Sequence, residues 1–225
     1  MRGKRIPLSL RPLLAAGALL AARAPAQSDP PSLPGAIHSN AAAGCCLGAG
    51  EPRPPVWTWD APGGMIRTFQ VSIAGFRAEA TPQGYVLSVP GQPHPPRPGV
   101  PDVTPVVTTL AGVAGCTARV DSVRADWQEA TGIRAAPAEG RRMDDVTTNA
   151  PTYRTVREEA PAVYAADAFW PPELAVVNEA WMGTQKVVRI QCAMLQVNPA
   201  RRAIRYTLRL TGRLVFEPDE TQAQP

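Results

Sequence analysis

The amino-acid sequence predicts an all-β fold, an antiparallel β-sandwich of jelly-roll-like type, and three observations carry that reading. In the last third of the chain Ile204, Tyr206, Leu208, Leu210, Leu214 and Phe216 alternate with Arg205, Thr207, Arg209, Thr211 and Arg213. Successive side chains of a strand point to opposite faces, so this spacing gives one apolar face and one face of guanidinium groups turned to water; a helix would scatter those arginines around its axis. Short β-branched and aromatic runs recur from residue 66 onward, each closed by Pro, Gly or Asn. Helical periodicity is weak throughout, with at most a short helix at residues 126–130 or 156–160, which disfavours a parallel α/β architecture.

The N terminus reads as an export signal. Arg2, Lys4, Arg5 and Arg11 precede the apolar run LLAAGALLAA at residues 13–22, and Ala24-Pro25-Ala26 supplies small residues for cleavage after Ala26. The run is too short to span a bilayer and Arg23 closes it. Residues 1–26 are therefore assigned to a signal peptide and the protein to the secreted, extracellular or periplasmic space, without stable membrane insertion after cleavage. That segment holds five of the 23 basic residues and no acid, leaving 18 basic against 19 acidic residues. The apparent basicity belongs to the export signal, and the mature chain lacks the one-sided positive field that nucleic acid selects.

Residues 27–60 are rich in Pro, Gly and Ala and are predicted to form an extended arm or linker, with Trp57 and Trp59 placed on one face of a short strand to pin it down. The body is assigned to residues 61–217. At 44% hydrophobic residues the chain can bury one core, so a single such domain is expected. Its first hairpin turns at TPQG, residues 81–84, where Gly84 suits the left-handed position of a type I turn with a G1 bulge. The proline-dense stretch 89–101 is a loop, followed by strands at 103–110 and 117–123. Residues 124–168 lose periodicity and collect charge, so a long loop is expected over 132–160. A long strand at 186–197, a turn at NPARR (198–202) and the alternating strand close the body before a polar tail, 218–225.

Four cysteines remain after export, Cys45, Cys46, Cys116 and Cys192, an even number in an oxidising compartment. A vicinal Cys45–Cys46 bridge strains the intervening peptide. The open pairings are Cys45 with Cys116 and Cys46 with Cys192, the converse, or Cys116 with Cys192 alone. The segment AAGC before Cys45 superficially resembles a lipoprotein cleavage box, but it lies some twenty residues beyond the apolar run.

Three segments, in order, resemble the N-terminal propeptide of the gingipain family of cysteine peptidases: GYVLSVPGQP; PGVPDVTPVVTTL with VAGCTARVDSV; and the stretch from FWPPELAVVNEAW through NPARRAIRYTLRLTGRLVFE. The similarity covers roughly residues 60–217. It implies a β-sandwich that assists the folding of a caspase-like peptidase and keeps it latent, with that catalytic domain as partner. After Phe216-Glu217-Pro218 only DETQAQP follows, so the expectation is a module acting in trans or a truncated remnant.

No enzyme is expected. A cysteine peptidase needs a thiolate beside an imidazole, and the only histidines, His38 and His94, lie in proline-rich segments. No cofactor is implied, and metal ligands are sparse; calcium at Asp144-Asp145 is a weaker reading than a solvated charge pair. An inhibitory role asks for an exposed loop that presents an arginine to a carboxylate in a basic-specific pocket. Arg141 and Arg142 are the first candidates, with Arg154 and Arg157 behind them, against the plainer reading that these arginines only solubilise the surface. The second function considered is a secreted structural or adhesive sandwich with no peptidase partner.

Overall fold

The computed structural model describes residues 37–40, 44–48, 50–60, 64–95, 97–145 and 152–219. The signal peptide read at 1–26 lies outside the described residues. The chain forms β1 (Ile37–Asn40), β2 (Gly44–Gly48), β3 (Val56–Asp60), β4 (Ile66–Ser72), β5 (Gly75–Thr81) and β6 (Gly84–Ser88). Then come β7 (Val106–Ala111), β8 (Cys116–Ala125), β9 (Gln128–Thr131), β10 (Gly140–Asp145) and β11 (Thr152–Val156). A one-turn helix, α1 (Pro161–Tyr164), precedes β12 (Ala175–Met182), β13 (Gln185–Cys192), β14 (Leu195–Asn198), β15 (Ala203–Tyr206) and β16 (Arg209–Pro218).

The strands pair antiparallel in sheets ordered β1-β2-β5-β6, β3-β4-β16-β8, β12-β13-β7, β14-β15-β9 and β10-β11. The first four share one core that includes Leu47, Phe69, Phe76, Leu87, Ile190 and Leu214, all essentially inaccessible to water. Each such side chain stabilises the fold by about 1.5–3 kcal/mol relative to exposure. The predicted apolar face of the closing segment is the buried one: Ile204, Tyr206, Leu210, Leu214 and Phe216 all join this core.

The two long strands expected at 186–197 and 204–216 are each broken in two. Thr207 is the reason: its Oγ1 donates to the Arg209 carbonyl and accepts from the Arg209 N–H, a local bond that competes with the ladder. Its own N–H crosses to Met194 O, at the matching break in the partner run. The β14–β15 hairpin thereby leaves the sheet of β13 and joins β9.

Arg205 does not face water as the alternation predicts. Its guanidinium lies over the rings of Trp127 (5.1 Å) and Phe169 (4.3 Å), and its Nε donates to Gln196 Oε1 at 2.6 Å. A weakly hydrated planar cation can stack in this way at small desolvation cost.

The segment read as an extended arm contributes strands. β1 and β2 extend the sheet of β5, and β3 pairs with β4. Trp57 and Trp59 share a face as expected, with ring centroids 6.1 Å apart and both rings against Phe69. Gly212 lies opposite Phe69 on β16, where an added Cβ would come within 2.5 Å of the ring.

Thr81 and Gly84 bracket the predicted β5–β6 turn. Gly84 takes φ +136°, a positive value that favours glycine but not the left-handed helical well expected for it. A Cβ there would also sit 2.5 Å from the Arg134 carbonyl oxygen, because residues 133–138 run alongside β6 and Tyr85 N–H donates to that carbonyl. The helix expected at 126–130 or 156–160 is absent from both stretches: the first is largely β9, and α1 begins later, at Pro161. Replacing Gly84 with alanine is expected to lower the unfolding free energy by more than about 1 kcal/mol, read as a lower urea midpoint with an unchanged slope.

Candidate functional site

The charged stretch expected as a loop over 132–160 forms a ribbon instead. β10 and β11 pair with each other and with no other strand among the described residues, and the residues that join them, 146–151, lie outside the description. Arg141 stands opposite Thr155, Met143 opposite Tyr153, and Arg142 opposite Arg154. Opposed residues share a face, so Arg141, Met143, Tyr153 and Thr155 form one side of the ribbon and Arg142 and Arg154 the other. Both sides are exposed, including Met143 (44%) and Tyr153 (56%), two large apolar side chains set directly across from each other.

The four arginines singled out by the sequence are brought to this ribbon and its root, but their surroundings differ. Arg142 pairs with Glu158 at 2.9 Å, and Arg154 with Asp144 at 2.9 Å. Arg157 follows β11 and is mostly buried, with its side chain only 18% exposed; it pairs with Asp102 at 2.8 Å and Glu139 at 2.9 Å. Arg157 is therefore not on an exposed loop. Arg141 makes no ion pair or side-chain hydrogen bond among the described residues, and it borders a groove of about 460 Å³ between the ribbon root and residues 98–99. Arg134 and Glu159 form a further ion pair near that root.

The buried member of this group, missed by the sequence reading, is Asp102. It is 2% exposed, its Oδ2 takes the Arg157 bond, and its Oδ1 lies 3.1 Å from His94 Nδ1. The only signal in the sequence was an acid amid prolines and valines. His94 is otherwise solvated, with 66% of its side chain exposed, and is engaged by this carboxylate. The side chain of His38 lies outside the described residues.

The disulfide pairings expected for the cysteines do not form at Cys116 or Cys192, which are both buried thiols. Geometry separates these two. The Cys116 carbonyl accepts a hydrogen bond from Lys186 Nζ at the start of β13, whereas Cys192 ends that strand six residues on. Six strand residues span roughly 20 Å, against the roughly 4.4–6.8 Å between Cα atoms that a bridge requires. Cys46 is buried in β2, and the Cys45 side chain lies outside the description. Burial pushes the Cys192 thiol up to about 12, the opposite of what a nucleophile requires.

Asp144, considered for calcium, is committed to Arg154. Among the described residues no group of three or more His, Cys, Asp or Glu side chains is placed to hold a metal ion, and no helix is long and apolar enough to cross a membrane.

A β-sandwich body carrying a separate, polar two-stranded ribbon defines the class. No family model matches the chain, and no curated protein matches it by sequence. Solved structures do. The complex of the RgpB pro- and mature domains from Porphyromonas gingivalis matches with TM-score 0.62 and 16% identity, covering 74% of this chain and 88% of that one. A structure of gingipain K from the same organism, described in terms of zymogenic latency, matches with TM-score 0.56 and 16% identity, covering 76% and 97%. In fold, the chain is similar to these gingipain structures.

The Cys192 environment makes a pH prediction. The folded thiol stays protonated while the unfolded one ionises above about pH 8.5, so stability falls as pH rises from that value toward about 12. The unfolding free energy from denaturant titrations should drop by roughly 1 kcal/mol per pH unit in this range, and Cys192→Ala should flatten the slope. Cys192 should also resist alkylation at pH 8 until the protein is unfolded.

Proposed function

We propose that this chain is a secreted, non-catalytic, propeptide-like module that binds the catalytic domain of a gingipain-type cysteine peptidase, assists its folding and holds it latent. The observation that supports this most is the shared fold: one of its structural matches is a complex of pro- and mature domains, and the other concerns zymogenic latency. The ribbon supplies a fitting contact element. It carries little of the core, so it is free to meet a partner along its length, and its Arg141 side presents a cation and two apolar side chains together.

Among the four arginines, Arg141 is the one best suited to a carboxylate in a basic-specific pocket, because the other three already have carboxylate partners. Arg142 and Arg154 would have to give up those pairs. Each exposed pair is worth only about 0–1 kcal/mol, so that cost is small; the stronger distinction is that Arg157 is held inside the body.

The test is a titration of the full mature chain against a gingipain-type catalytic domain that lacks its own propeptide. Sub-micromolar inhibition is expected, equivalent to about −8 kcal/mol or better. Arg141→Ala should weaken it by roughly thirtyfold or more, in line with the loss of about 2–5 kcal/mol when one partner of a buried charge pair is removed. Arg142→Ala should change it by less than about fivefold. Absence of inhibition at tens of micromolar would falsify the reading. For the export step, mass spectrometry of the protein released by a Gram-negative host should place the mature N terminus at Gln27; an uncleaved chain retained in the cytoplasm would remove the secretion assignment.

A further inference from the structure

The root of the ribbon poses a mechanical problem. With no ladder to another strand among the described residues, the direction in which β10 and β11 leave the sandwich depends on a few bonds at one end. Backbone ties there run from Ala138 N–H to Val100 O (2.7 Å), from Gly99 N–H to Ala138 O (3.0 Å) and from Ala160 N–H to Gly99 O (2.8 Å). A six-residue strand is about 20 Å long, so a swing of about 15° at the root moves the far end by roughly 5 Å. That exceeds what a hydrogen-bonded contact tolerates.

We propose that Arg157 is the positioning residue of this ribbon: its guanidinium locks the root to the core sheet and so sets where Arg141 is presented. The proposal rests on the binding role argued above. Gly140 pairs with Val156, so Glu139 and Arg157 occupy the next rung, at the point where the ribbon meets the body. From there Nη1 donates to Asp102 Oδ2 (2.8 Å) and to the Pro137 carbonyl (2.6 Å), while Nη2 donates to Glu139 Oε1 (2.9 Å). Three acceptors on two separate stretches of chain, one at Asp102 and one at residues 137–139, are thus gathered by one side chain.

Asp102 transmits the hold inward. Its N–H donates to Ala136 O at 2.7 Å and its carbonyl accepts from Leu87 N–H at 3.0 Å, which fixes it to β6, a fully buried strand but for its last residue. Arg157 therefore ties the ribbon to the core through two bonds. A fork of donors in fixed geometry is needed to reach these acceptors at once; a lysine ammonium in the same place keeps the charge but loses the fork.

The experiment uses the full mature chain with Arg157→Gln, Arg157→Lys, Arg141→Ala and the Arg141→Ala/Arg157→Gln double variant. Amide exchange is followed by NMR, and inhibition is measured with the catalytic domain described above. Exchange at Gly99, Ala138 and Ala160 should rise at least tenfold in Arg157→Gln and less in Arg157→Lys, with β13 and β16 amides unchanged. Inhibition by Arg157→Gln should weaken at least tenfold although Arg141 is intact, with partial recovery in Arg157→Lys. The double variant should be little weaker than Arg141→Ala alone, since a misdirected ribbon has no Arg141 contact left to lose. Unchanged exchange at the root, or strictly additive losses in the double variant, would overturn the proposal. If Arg157→Gln unfolds the whole sandwich, the comparison of Arg157→Lys with the parent decides by the same criteria. If the parent chain does not inhibit at all, the binding role fails, and the exchange data still decide whether Arg157 holds the root.

Discussion

Burial at every second residue is the constraint to which the other features of this molecule answer. A strand offers its core only one face, so β4, β13, β15 and β16 must agree in register about which residues turn inward. Phe69, Ile190, Ile204 and Leu214 all meet in one cluster with essentially no solvent contact. A slip of one residue in β16 would turn Arg213 and Arg209 inward and Leu210 and Leu214 outward, leaving unpaired cations in an apolar interior. Gly212 fits closely against Phe69, and Trp57 and Trp59 pack against the same ring. One position without a side chain lets the edge strand β3 bring two indoles to the core.

The ribbon is what a hairpin becomes when that rule is not met. Neither face of β10–β11 is apolar enough to join the interior, so among the described residues the pair stands alone, and an isolated two-stranded hairpin is marginal in water. Its support comes from charge at the root. Burying Asp102 and Arg157 is costly for each alone and tolerable only because each is the other's partner, with Pro137 O, Glu139 and His94 taking up remaining hydrogen-bonding capacity. A polar anchor of this kind fixes geometry more than it adds stability. On the proposed binding role, that is the property the ribbon needs.

The sequence was most legible where two signals coincided. Alternation plus an Asn-Pro turn placed the closing hairpin, and Gly84 marked the β5–β6 turn. Legibility failed where a local polar bond overrode the pattern: the Thr207 hydroxyl breaks β15 from β16 although the hydrophobic alternation runs straight through. It failed again at Arg205, because the rings that receive it, Trp127 and Phe169, are far away in sequence. β10 and β11 escaped notice since a ribbon exposed on both sides has no periodicity to detect. Cysteine number and compartment alone favoured disulfides, yet the positions of Cys116 and Cys192 depend on how β8 and β13 pack, which parity cannot reveal. For the proposed site, residue type pointed to four arginines on the ribbon and at its root but could not rank them. Only their partners, Glu158, Asp144 and Asp102, do that.

Those partners also bear on why such a module has so polar a ribbon. An arginine already paired at the surface exchanges one carboxylate for another on binding, and the net gain is small in high dielectric. An arginine with no internal partner keeps the whole of its charge-assisted bond for the complex, provided its approach is directed. On the proposed role, Arg142 and Arg154 neutralise acids around the ribbon and Arg157 holds its base, so that Arg141, without an ion pair among the described residues, has most to gain from a carboxylate outside the chain. Specificity of this kind depends on the internal pairing of the neighbouring charges as much as on the contact itself, because an unpaired Glu158, which lines the same groove, would compete for Arg141 before any partner arrived.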